Sequence, residues 1–191
     1  MEIVFIRHGE PDWVPGGRAV NDPGLTPLGH QQAQKVAERV QGTTWDGLWV
    51  SPARRAQETA APIADALAMS TQTLDWLLEA GTPDWEGQSA EAVQEIIVGA
   101  RTRSVEAWWQ GLPGGESLEG FVERIGSGLD AALIALGAER GSGPSALGLW
   151  PRLPAQGRYL VVCHAGTTSA AISHLLGVQQ VPWAWERLAV G

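Results

Sequence analysis

The chain has little cysteine. Cys163 is the only one in 191 residues, which excludes an internal disulfide framework and a multi-cysteine metal cluster. It is also short of positive charge, with 13 Lys and Arg against 21 Asp and Glu, a net −8. That balance argues against a nucleic-acid binder, which carries a basic face. A few clustered arginines can still make a local positive well for a small anion. No apolar run approaches the ~20 residues of a membrane span. The first apolar run is short, begins at once and lacks the basic leader of a signal peptide. The expected compartment is the cytoplasm, and no nucleic-acid or membrane partner is expected. What is present is ordinary for a soluble globular chain: 44% hydrophobic and 18% charged residues. The length suits one domain, or one with a small cap, and allows a sizeable core without staples. Ten tryptophans are many for this length, and packing in core and rim accounts for most of them.

Three segments share one pattern: a short apolar run, a polar cluster, then helix-like spacing. Glu2–Ile6 reads as a strand and runs into Arg7-His8-Gly9-Glu10. After a Pro/Gly-rich loop, Thr26 is the expected N-cap and Pro27 the first residue of a helix reaching about Val40. Gly47–Val50 is the second strand; Ser51 is expected to cap, and Pro52 to start, a helix that Pro62 breaks near Ala61. Tyr159–Cys163 is the third strand, followed by His164-Ala165-Gly166 and a helix capped by Thr167 or Thr168 that ends before Gly177. Between the second and third segments, residues about 89–136 read as helical, with Gly99, Gly126 and Gly128 as weak points. Residues about 137–157 read as a Gly/Pro-rich surface loop. Strands alternating with helices imply an α/β layer fold with a mainly parallel sheet. In such sheets ligands bind beyond the carboxyl ends of the strands. Arg7-His8, Ser51–Arg55 and His164 all fall there, and converge on one crevice if the strands are neighbours.

A lone histidine after a strand is usually structural. Here two of four histidines, His8 and His164, sit at matching strand ends with a glycine one or two residues on, which points to a site. His30 and His174 lie in helical patterns and are read as structural. Adjacent Arg54 and Arg55 cannot share a helix face, so one faces the crevice and the other solvent. Arginine's rigid fork suits phosphate oxygens. Glu79 follows an apolar stretch in a loop, where desolvation would raise its pKa. These groups form a unit for phosphoryl transfer: a neutral His attacks phosphorus, cations hold the oxygens, and a protonated carboxyl group supplies the leaving oxygen. The unit needs no metal and no cofactor.

The residues resemble the histidine phosphatase superfamily, the phosphoglycerate mutase-like proteins. The blocks are "FIRHGE"; Leu25, Thr26, Gly29, Gln32 and Ala33; "SPARRAQETA"; "LLEAGTPDWEG"; "GGESLEGFVER", ending on Arg124; and "VVCHAGT". Arg-His-Gly alone is a weak signal. Six blocks in one order, from residue 3 to about 177, are specific. The resemblance implies a single domain over residues 1–191 with a three-layer α/β/α sandwich, its helical segment about 89–136 covering the site. It implies that His8 is transiently phosphorylated, that Glu79 acts as acid then base, and that Arg7, Arg55 and His164 bind the phosphoryl group. Relatives carry Trp-Asn soon after the first motif; here Val14 follows Trp13, and Asn21 is the substitute contact. Relatives also continue past "WERLAVG" with another strand, so one sheet edge is expected to be incomplete.

The leading expectation is a metal-independent phosphatase acting on a small phosphomonoester, in the branch of α-ribazole phosphatase-type proteins. A phosphoglycerate mutase and a catalytically silent phosphate-binding module are the alternatives. A cysteine phosphatase is excluded, because Cys163 lacks the Cys-x-x-x-x-x-Arg loop. The partner is a small molecule, with a homodimer left open. Trp13, Trp85, Trp108 and Trp109 are candidates for the leaving-group pocket.

Overall fold

Three apolar runs and the short polar segment Gln72–Thr73 become parallel strands in the computed structural model, which describes residues 1–100, 102–141, 150, 152–153 and 156–177. Much of the expected loop at 137–157 and the C-terminal stretch 178–191 lie outside the described residues, as does the side chain of Trp108. The strands are β1 (Glu2–Arg7), β2 (Gly47–Val50), β3 (Gln72–Thr73) and β4 (Arg158–Cys163). Among the described residues they form one sheet in the order β1-β4-β2-β3. The helices are α1 (Pro27–Val40), α2 (Arg54–Leu67), α3 (Ala90–Ala100), α4 (Val105–Trp109), α5 (Leu118–Ala135) and α6 (Ala165–Leu175).

Strand alternation sorts the side chains into layers. Leu48, Val50, Leu160 and Val162 face Ala37 of α1 and Ala56, Ala60 and Ile63 of α2. Ile3 and Phe5 face Phe121, Ile125 and Leu129 of α5 and Ala170 and Ala171 of α6. Trp49, Val161 and Cys163 share this second side with Leu77. The result is the expected α/β/α sandwich, with a central strand, β4, apolar on both faces.

Several local expectations give way to tertiary packing. Thr26 does cap α1, its hydroxyl accepting from the Gly29 N–H. The second helix, however, starts at Arg54 behind an Ala53 cap, not at Pro52. Ser51 is instead engaged with His164. α2 also runs through Pro62 to Leu67 without a break. A proline removes one helical hydrogen bond, but buried Ala60 and Ile63 hold both sides of it against the sheet. α6 begins at Ala165 with His164 as its cap, so Thr167 and Thr168 lie inside the first turn. Their hydroxyls donate to the carbonyls of Leu78 and His164, respectively. α5 is continuous through Gly126 and Gly128, which leave room for the rings of His174 and Trp76.

One close approach sets the entrance of the first motif. A Cβ at Gly29 would strike the Glu10 carbonyl, and one at Gly9 would reach Gly29 O at 2.5 Å. The turn after β1 and the first turn of α1 therefore pack backbone to backbone. Gly29→Ala is expected to cost about 1–3 kcal/mol by overpacking, read as a thermal midpoint lowered by several degrees with the far-ultraviolet spectrum retained.

Candidate active site

Sheet register alone brings two histidines together. Arg7 is the register partner of Cys163, so the next residues, His8 and His164, leave adjacent parallel strands side by side. The ladder continues one step further, with the His8 N–H on the Cys163 carbonyl at 3.0 Å. The rings end with centroids 5.0 Å apart and planes at 64°. On the other side of β4, Ser51 follows β2, its N–H donating to the Val162 carbonyl. Ser51 Oγ lies 2.9 Å from His164 Nε2.

The partners of His8 fix its tautomer. Nδ1 lies 2.7 Å from the Gly9 carbonyl oxygen, which can only accept. Nδ1 therefore carries the proton and Nε2 the lone pair. Arg55 Nε–H donates to that Nε2 at 3.3 Å. Burial, with Arg55 and Arg7 nearby, lowers the His8 pKa to about 4, against the Gly9 hydrogen bond that favours the charged form. His8 is thus a neutral imidazole with Nε2 turned to a guanidinium. Thr59 Oγ1 accepts from the Gly9 N–H and donates to the Arg55 carbonyl, locking the His8 turn to α2.

Arg55 is 6% exposed and stacks 4.9 Å from the Trp13 ring, with Asp22 Oδ1 at 3.6 Å. Arg54, its neighbour, points outward to Glu58. Among the described residues the Arg7 guanidinium has no hydrogen-bonded or ion-pair partner, and Arg7 lines the same cavity as His8 and Arg55. His164 is buried, and among the described residues its Nδ1 has no hydrogen-bond partner. Desolvation first, then the surrounding cations, depress its pKa to about 2.

Glu79 reaches the site from the loop after β3. Its carboxylate accepts from the N–H groups of Gly166, in the first turn of α6, and Ala80. Burial raises its pKa above the ordinary carboxylate value, outweighing those hydrogen bonds and the pull of Arg55. Arg124 of α5 holds this loop. It donates to the carbonyls of Trp76, Leu78 and Glu79 and grips both oxygens of Glu116. Glu116 in turn accepts from the Gly81 N–H. The Gly-Glu-Ser…Arg pattern marks Glu116 and Arg124 in the sequence, but only the fold shows that they pin the loop of Glu79.

Arg7, His8, Arg55 and Glu79 all line one cavity of about 1260 Å³. Asn21 lines it too, but its carboxamide is engaged: Nδ2 donates to Asp84 and Oδ1 accepts from the Trp85 N–H. It pins the 84–86 loop. Trp13 and Trp85 stand in the wall, whereas Trp109 does not line this cavity. Glu10 accepts from the Thr26 hydroxyl and so ties the first motif to α1. His30 sits on the exposed face of α1 beside Glu58, and His174 pairs with Asp130 between α5 and α6. The Cys163 thiol is buried and pushed up to about 12, a poor thiolate source. Among the described residues no three His, Cys, Asp or Glu side chains cluster as metal ligands, and no helix is long and apolar enough to cross a membrane.

Residues 3–190 match the family model described as "Histidine phosphatase superfamily (branch 1)". Phosphoserine phosphatase 1 of Hydrogenobacter thermophilus is 30% identical over 128 residues, which is 65% of this chain and 61% of that protein, under two thirds of its length. A probable phosphoglycerate mutase GpmB of Yersinia enterocolitica is 28% identical over 98% of this chain and 80% of its own. The solved structure of a mycobacterial glucosyl-3-phosphoglycerate phosphatase superposes with a TM-score of 0.69 at 27% identity, over 98% of this chain and 84% of the other.

Proposed function

Because the chain belongs to the histidine phosphatase superfamily, branch 1, we propose that it hydrolyses a small phosphomonoester through a phosphohistidine on His8. The observation that carries this reading is the pairing of an unprotonated His8 Nε2 with the Arg55 guanidinium, beside the unpartnered Arg7. A dianionic phosphoryl group fits this well: its oxygens take the arginine donors, and phosphorus meets the lone pair.

In the first step the Nε2 lone pair forms the P–N bond as the P–O bond to the alcohol breaks. The electron pair leaves on the alcohol oxygen, which takes the proton of Glu79. Arg7 and Arg55 bind the equatorial oxygens and balance their charge. His164 stands against His8 as a neutral imidazole, its Nε2 on Ser51. In the second step Glu79, now a carboxylate, takes a proton from water as that water attacks phosphorus. The P–N bond breaks, and its electron pair returns to Nε2. Burial suits Glu79 to both roles, since it favours the protonated form before transfer. The His8 Nδ1–H on the Gly9 carbonyl keeps the tautomer right throughout.

The test is rapid quenching of the wild-type protein, mixed with phosphorus-labelled 4-nitrophenyl phosphate, into alkaline detergent. Up to one phosphoryl group per chain is expected, stable in alkali and lost in acid, with orthophosphate as product. Turnover without a labelled chain would overturn the phosphohistidine route. The similarity to a probable phosphoglycerate mutase supports a second reading, phosphoryl transfer between two hydroxyls of one substrate in the same pocket. Isomer formation from 3-phosphoglycerate outpacing phosphate release would favour it.

A further inference from the structure

The phosphoryl end of the cavity occupies little of its 1260 Å³, and the remaining walls differ in character. They are built by Trp13, Val14, Val20, Trp85, Val93 and Ile97. Trp13 and Val14 are 43% and 39% exposed, apolar surface that a bound ligand would cover. Charge is distributed unevenly. Among the described lining residues the cations are Arg7, Arg55 and Arg124. The first two belong to the phosphoryl site. Arg124 is saturated by both oxygens of Glu116 and three carbonyls. Arg103 stands in an adjoining cavity of about 340 Å³, held by the Gly111 carbonyl, and does not line the main one. The chain's single lysine, Lys35, pairs with Glu38 on α1. The same walls carry Asp22 and Glu116.

We propose that this site selects phosphomonoesters whose alcohol is uncharged and presents an apolar or planar ring, and rejects those whose alcohol carries a carboxylate or a second phosphate. The inference rests on the phosphomonoesterase reading and narrows its substrate class. A ring seated against the Trp13 and Trp85 walls buries apolar surface. A carboxylate at the same depth loses its water, finds no uncommitted cation among the described lining residues beyond the phosphoryl site, and faces Asp22 and Glu116. The chain is thereby separated in specificity from phosphoserine phosphatase and from enzymes of phosphoglycerates, whose substrates all bear a carboxylate.

A matched pair tests this: benzyl phosphate against 4-carboxybenzyl phosphate, whose leaving oxygens are alike in reactivity. The wild-type protein is expected to favour the benzyl ester by ~10-fold or more in kcat/KM, mostly through KM. Gln94→Lys, which puts a cation on the α3 side of the cavity, is expected to narrow that ratio by raising efficiency on the carboxylated ester. Equal or better handling of the carboxylated ester by the wild type overturns the inference. So does hydrolysis of 4-nitrophenyl phosphate with neither benzyl ester accepted. A protein inert toward 4-nitrophenyl phosphate as well would show that the phosphomonoesterase reading itself had failed.

Discussion

His8→Ala is expected to remove turnover by about 10⁴-fold or more, with no phosphoryl label on the chain. Among the described residues of the site no other nucleophile can take over. Cys163 is buried with its thiol pushed up to about 12. His164 is buried, with Nε2 on Ser51. Ser51 is itself fully buried. The variant should fold. His8 is only half-buried, and its loss relieves an imidazole that cannot protonate in place. The sign follows from its depressed pKa. Between about pH 6.5 and 4 the unfolded chain binds a proton at His8 that the native chain does not, so stability falls as the medium is acidified through that window. His8→Ala should therefore lose less of its thermal midpoint than the wild type on going from pH 7 to pH 4.5. Retained turnover and label in a folded His8→Ala protein would end the proposed mechanism.

Glu79→Gln is the second large effect, and its size should depend on the leaving group. For an alkyl phosphate, whose alkoxide is a poor leaving group, loss of the acid is expected to cost about 10²–10⁴-fold in kcat. For 4-nitrophenyl phosphate, which departs without a proton, formation of the phosphohistidine should be nearly unchanged. The pH profile gives an independent reading. His8 attacks only as the free base, so the acidic limb of kcat/KM lies near pH 4. Glu79 donates only when protonated, so the alkaline limb lies above its ordinary 4.5, where burial has moved it. The wild type should show a bell with an alkyl substrate, its alkaline limb displaced above the ordinary carboxylate position. Glu79→Gln should lose the alkaline limb and keep the acidic one. A variant that slows phosphohistidine formation from alkyl and aryl esters alike, with the bell intact, would assign the proton to another group.

Both variants probe residues that are adjacent in neither sequence nor element. His8 follows β1, Arg55 lies in the first turn of α2, Glu79 lies beyond β3, and Gly166, which receives Glu79, lies in α6. Parallel strands run in one direction, so their carboxyl ends share an edge. The pairing of β4 between β1 and β2 is what sets His164 between His8 and Ser51.

The sequence by itself determined the layer fold, the positions of β1, β2 and β4 but not of the short polar β3, the Thr26 cap and the residue types the chemistry uses. These follow from short-range rules: strand alternation, capping hydroxyls, and motif spacing. Tertiary structure alone decided four matters. It turned Ser51 from a cap into a partner of His164, because β2 and β4 are neighbours. It carried α2 through Pro62, because burial of Ala60 and Ile63 outweighs one missing hydrogen bond. It gave Asn21 to the 84–86 loop. It set the tautomer and charge of His8 and raised the pKa of Glu79, since desolvation depends on what the whole chain folds over a group. Arg124 shows the division most clearly. Its place in a Gly-Glu-Ser…Arg pattern was legible in one dimension, but its grip on three loop carbonyls exists only once α5 packs beneath the loop of Glu79.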